Sequence, residues 1–127
     1  MKFTRVTTYI AIITLIGLFF TTSCVNNNKE VLFGCDSVNS KFASTVKPIL
    51  VSSCYKCHSA SNANTLGGGI QLVTYTQVRG WVQPGSSNGG ILLNNVKTGR
   101  MPKNDPKISD CDISKLSNWI NNGALDN

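Results

Sequence analysis

Cys54, Tyr55, Lys56, Cys57 and His58 set two thiols three positions apart, with an imidazole directly after the second. No other five residues constrain the chain as tightly. His58 is its sole histidine, and the two thiols are two of only five cysteines. A single histidine excludes any triad or metal site that needs two. Five cysteines, an odd number, exclude a scaffold in which every thiol is paired within the chain. At 127 residues the ceiling is one small domain. With 41% hydrophobic and 14% charged residues, the chain is neither a disordered polyelectrolyte nor a multi-span membrane protein.

The N-terminus reads as an address. Lys2 and Arg5 precede a near-continuous apolar run from Tyr9 to Phe20, followed by Thr21, Thr22, Ser23 and Cys24. A basic start, a short apolar core and small residues before a break make an export signal over residues 1–23. The run falls short of the roughly 20 apolar residues of a membrane span. Small residues followed directly by Cys resemble a bacterial lipobox, in which the thiol is lipidated and becomes the first residue of the mature chain. Thr21 departs from the usual Leu, so ordinary cleavage and an uncleaved anchor stay open beside lipidation at Cys24. Residues 24–34 then form a lipidated N-terminus and tether, polar and aperiodic over Val25 to Glu30. Residues 35–127 form the domain. Removing residues 1–23 leaves 104 residues with ten basic and six acidic side chains, a net charge of +4. A chain so short and polar buries only a thin core of its own.

The spacing of residues 54–58 admits three readings. A thioredoxin-like redox pair uses two thiols but has no need of the adjacent histidine. Half of a zinc site would need a fourth ligand from Cys35 or Cys111, with no second C-x-x-C to help. C-x-x-C-H is also the attachment motif of c-type haem. There the thiols Cys54 and Cys57 add across two vinyl groups on one porphyrin edge, and His58 becomes the proximal iron ligand. Attachment takes place outside the cytoplasm, in agreement with the export signal, which is read from different residues.

Helical periodicity surrounds the motif. Phe42, Val46, Ile49 and Leu50 follow one helical face, with Pro48 predicting a kink or restart, and the helix runs into Cys54. A loop with three consecutive glycines lies between Leu66 and Ile70 and is expected to pass close to something flat. Short helices are predicted over Thr74–Val82, ended by Pro84-Gly85, and over Asn88–Val96, with Ile91, Leu92 and Val96 inward. Ser109 and Asp112 form a capping box ahead of a helix with Ile113, Leu116 and Ile120 on one face beside Trp119, and Gly123 stops it. Ile70–Tyr75 is the one β-like run, so the fold class is all-α. Met101 is the one methionine of the mature chain and sits in a Gly/Pro/Lys loop without apolar periodicity, a poor place for a core gap-filler.

These residues together resemble a monohaem cytochrome c domain of the class I type. More narrowly, they are similar to haem-binding lipoprotein domains of Bacteroidota. The resemblance rests on Pro48-Ile49-Leu50 ahead of Cys54–His58, on Gly68-Gly69-Ile70 with Leu72 and Tyr75, on Met101-Pro102, and on Cys111, Trp119-Ile120 and Gly123-Ala124. A short connection between the motif and the Met101 loop is its departure from that pattern. The resemblance implies a small helical fold wrapped around one covalent haem c. His58 and Met101 are then axial ligands of the iron, and the activity is single-electron transfer rather than enzymatic catalysis. It also implies that the first and last helices cross, which brings Cys35 and Cys111 within reach of a disulfide. Such a bridge would close a loop of roughly 75 residues and contribute about 4 kcal/mol in the chain-entropy model. Two buried free thiols are the alternative. A five-coordinate haem sensor or ligand-binding lipoprotein, and a haem subunit of a larger oxidoreductase complex, are the alternative functions.

No residue reads as catalytic. Asp105, Asp110 and Asp112 read as turn and cap residues, and Trp81 and Trp119 as core or haem packing. Arg79 or Arg100 would pair with a haem propionate or stand as a solvated charge. Lys56, Lys97, Arg100, Lys103 and Lys107 cluster in sequence around the motif and the Met101 loop. They would either steer an acidic redox partner or supply ordinary solubility. Nucleic acid is not expected as a partner, since the chain is exported and lacks an aromatic–basic pattern. The expected location is the cell envelope of a Gram-negative bacterium, lipid-anchored on the periplasmic side or the outer membrane.

Overall fold

The computed structural model describes residues 34–127. The expected export signal at 1–23, the expected lipidation at Cys24 and nearly all of the expected tether at 24–34 lie outside the described residues. The domain is all-α, and no strand forms among the described residues.

One wide helical turn, Phe42–Val46, leads directly into α1, Lys47–Ser53. Its bonds skip five residues, as in Val46 N–H to the Lys41 carbonyl at 3.0 Å and Lys47 N–H to that of Phe42. Pro48 accounts for the widening. Proline lacks a donor and its ring crowds the carbonyl four residues back, so the chain takes a looser turn and restarts with Pro48 in the first turn of α1. The expected restart is therefore present, without a break in direction of the apolar face: Phe42, Val46, Ile49 and Leu50 are all buried. Cys54 closes α1 and opens α2, Tyr55–His58.

Helix α3 is shorter than expected, Tyr75–Arg79, and is fixed by a reciprocal cap. The Thr74 hydroxyl accepts from Gln77 N–H, and the Gln77 side chain accepts from Thr74 N–H. α4 spans Ile91–Lys97 rather than beginning at Asn88. The Asn88 side chain instead accepts from Gly90 N–H and shapes the turn before the helix. Gly90 has φ +93°, and a Cβ there would meet the Gln83 nitrogen at 2.6 Å. Leu92, Leu93 and Val96 of α4 are buried, but Ile91 is exposed, contrary to the expected inward face.

The last helix, α5, spans Asp110–Asn121. The Ser109 hydroxyl accepts from Asp112 N–H and donates to its carboxylate at 2.7 Å. Ile113, Leu116, Trp119 and Ile120 are buried as expected. Gly123, at φ +97°, turns the chain out in a Schellman arrangement, with Gly123 N–H on the Ile120 carbonyl and Ala124 N–H on that of Trp119.

The core lies where α5 packs on the first helical turn and α4 on α5. Phe42 stands edge-on to Tyr75 at 5.3 Å and tilted against Trp119 at 5.6 Å. The C-terminal strap seals this side. Ala124 and Leu125 carbonyls accept from the Tyr75 hydroxyl and the Trp119 indole, while Asn127 accepts from Phe42 and Ala43 N–H groups. Cys35 and Cys111 are joined in a disulfide, with Cα atoms 5.8 Å apart, tying residues ahead of the first turn to the start of α5.

Candidate cofactor site

Two stretches of chain, Ser53–Leu72 and Ile91–Asp105, meet with Trp81 around a cavity of about 450 Å³. That volume is in the range of small-molecule and cofactor pockets, which run from about 300 to 1,000 Å³. Cys54, Cys57, His58 and Met101 all line it, as do Leu72, Leu92 and Val96. Four residues singled out from sequence, up to 47 positions apart, thus share one largely apolar space.

Helix α2 sets the motif. The Cys57 and His58 amides both bond the Cys54 carbonyl, at 3.1 and 2.8 Å, which winds the two thiols and the imidazole into one turn. Both thiols are free and half-buried. Burial, with the Cys57 thiol beside it as the second cause, pushes the Cys54 thiol up to about 11. A thioredoxin-like nucleophile requires the opposite shift. Cys35 and Cys111, either of which a zinc site would need as its fourth ligand, are bonded to each other. Among the described residues, no three His, Cys, Asp or Glu side chains are grouped to hold a metal ion.

His58 is oriented by the segment that was the β-like run. Its Nδ1 lies 2.9 Å from the Ile70 carbonyl, and a carbonyl only accepts, so Nδ1 carries the proton. In the neutral ring this orientation leaves the lone pair on Nε2, the division of labour usual in a metal-binding histidine. The His58 carbonyl accepts in turn from Leu72 N–H at 3.0 Å. Beyond it, Val73 N–H bonds the Gln77 side chain and the Val73 carbonyl accepts from the Tyr55 hydroxyl. With these partners, residues 70–74 are held without a neighbouring strand, and α3 begins at Tyr75.

Gly67 makes the close approach that the glycine run predicts, but its neighbour is the motif itself. A Cβ at Gly67 would stand 2.5 Å from the Cys57 carbonyl oxygen and 3.0 Å from His58 Nδ1. Gly68 and Gly69, at φ +60° and +80°, serve the turn instead.

Met101 is half-buried against the core, and its N–H bonds the Asn95 carbonyl at 3.2 Å, which holds the loop to the end of α4. Trp81 forms part of the cavity wall, whereas Trp119 is a core residue. The basic cluster is less free than its sequence suggests. Lys56 is paired with Asp105 and Lys107 with Asp110, at 2.8 and 3.2 Å. The hydrogen bond and charge of Asp105 raise the Lys56 pKa. Asp105 is therefore an ion-pair partner rather than a simple turn residue. Arg79 donates to the Val82 carbonyl, and neither it nor Arg100 lines the cavity, whereas Lys103 does.

Sequence reasoning overlooked Gly67 as the residue against His58, the Ile70 carbonyl, Asn95, and the apolar rim formed by Leu66 and Ile91. These two are 63% and 59% exposed and both border the cavity. A triple glycine marks a loop, but nothing in it tells which glycine meets a neighbour. Leu66 was not singled out and Ile91 was read as inward, because rim and core aliphatic residues look alike in a sequence.

Chemically, the arrangement offers two thiols able to form thioethers, one imidazole nitrogen and one thioether sulfur. The nitrogen and sulfur donors suit a borderline or soft transition metal. Comparison of the chain with protein-family models, with curated proteins and with solved structures finds no match.

Proposed function

We propose that the protein is an exported, lipid-anchored monohaem c-type cytochrome with a class I-like fold that carries single electrons to and from a redox partner protein. The observation that carries this reading is the convergence of Cys54, Cys57, His58 and Met101 on one apolar cavity. A covalently held haem supplies one-electron exchange between ferric and ferrous iron. Cys54 and Cys57 would hold its porphyrin through two thioethers. His58 would present Nε2 to the iron, kept in that tautomer by the Ile70 carbonyl. Met101 would give its sulfur, which favours the ferrous state relative to a second histidine. Leu72, Leu92, Val96 and Trp81 line the cavity and would shield the ring from water. Lys103 is the cationic lining residue outside the Lys56–Asp105 pair, and it is suited to a propionate.

The test uses the full chain expressed in a host competent for cytochrome c maturation. Intact mass is expected to show one haem and acylation at Cys24, with no free thiol. The ferric protein is expected to show a sulfur-to-iron charge-transfer band that Met101→Ala abolishes. Haem-free protein with two titratable thiols would refute the reading. Rapid carbon monoxide binding by the reduced wild type, without the sulfur band, would replace the carrier by a five-coordinate sensor.

A further inference from the structure

Between Met101 and the end of its loop the chain has few attachments. Gly99 N–H bonds the Val96 carbonyl and Met101 N–H that of Asn95, so the start of the loop is held by α4. Ile108 is buried and anchors the far end, where Lys107 pairs with Asp110. For residues 102–106, among the described residues, the one hydrogen-bonded tie to the rest of the domain is the Asp105 carboxylate. Both its oxygens accept from Lys56 Nζ, at 2.9 and 2.8 Å, across 49 positions of sequence. Lys56 stands on a firm base. It lies between Cys54 and Cys57 in α2, and its carbonyl accepts from the Asn62 side chain at 3.0 Å. Both partners line the cavity and are 70% and 38% exposed, so the pair lies at the rim.

We infer that Lys56 and Asp105 are positioning residues whose ion pair latches the Met101 loop onto the thiol–imidazole motif and so governs how readily Met101 yields its ligand position. The inference rests on the cytochrome reading, with Met101 as distal ligand. The latch joins the one segment that carries the proximal ligand to the one that carries the distal ligand. Its exposure leaves the core untouched when it is broken, so the loop, not the fold, takes the effect.

The experiment follows displacement of Met101 by added imidazole in the ferric, haem-loaded full chain, read as decay of the sulfur-to-iron band. Lys56→Gln and Asp105→Asn are each expected to exchange about two- to five-fold faster than wild type, the range that an exposed ion pair carries. The double variant is expected to be no faster than either single one, since both remove the same interaction. Salt is expected to speed wild type toward the variants and to leave the variants unchanged. The exchanged pair, Lys56→Asp with Asp105→Lys, is expected to restore slow displacement. Hydrogen exchange of the Met101 amide, which is bonded to the Asn95 carbonyl, should quicken in both single variants while that of α5 does not. Single variants that exchange at the wild-type rate, or effects that add in the double variant, overturn the latch and leave the cytochrome reading standing. A wild type without covalent haem or the sulfur band overturns both.

Discussion

The two tryptophans stand in two differently finished halves of the molecule. Trp119 is 1% exposed, touches Phe42, and has its indole N–H satisfied by the Leu125 carbonyl. Around it the first helical turn, α5 and the C-terminal strap cover one another with their own side chains. Trp81 is half-buried in the wall of the cavity, in company with Leu66 and Ile91, whose apolar surface the chain leaves open. The same residue type thus closes a core on one side and lines a receptacle on the other. A domain of this size has little apolar surface to spare. Placing part of it around a cavity suits a bulky apolar body, the role proposed for haem.

The largest expected effect lies on the closed side. Trp119→Ala should cost about 3–5 kcal/mol, the usual cost of emptying a core site of an aromatic ring. Trp81→Ala should cost clearly less in the same denaturant titration. Equal losses would break the contrast between the halves. Next comes the covalent tie on that side. Replacing Cys35 and Cys111 together by Ser should lower stability by about 4 kcal/mol, checked by thermal unfolding with and without reductant, with the variant insensitive to reductant. The smallest of the three probes the open side. Gly67→Ala should cost about 1–3 kcal/mol, because its Cβ would overlap the Cys57 carbonyl and crowd His58. The His58 ring resonances in a nuclear magnetic resonance spectrum should shift in that variant, and Gly68→Ala should leave them in place. An unshifted His58 in Gly67→Ala would show that the segment has room to move.

Much of the helical frame was legible beforehand. Ile113, Leu116 and Ile120 repeat at helical spacing between a Ser109 cap and Gly123, and periodicity of that kind survives any tertiary context. Pro48 announced a restart for the same reason: a missing donor is a property of the residue. The short central helices were harder. α3 and α4 span five and seven residues, too few for a period to declare its ends. Ile91 was misassigned because a hydrophobic residue at a helix start carries no mark of whether a core or a cavity faces it. Asp105 was misread because its partner is 49 positions away.

The sequence by itself determined the local chemistry: two thiols and an imidazole wound into one turn, an all-α frame, and the caps and glycines that end its helices. Each depends on interactions within a few residues, where bond geometry and donor counts leave little freedom. Tertiary structure alone decided which proton His58 carries, through the Ile70 carbonyl, and which glycine lies against it. It also decided that Met101 reaches the same cavity as the thiols, and that two of the five clustered cations are neutralised by carboxylates. Those outcomes hang on contacts between distant segments, whose formation depends on how the whole chain closes around its core and its cavity.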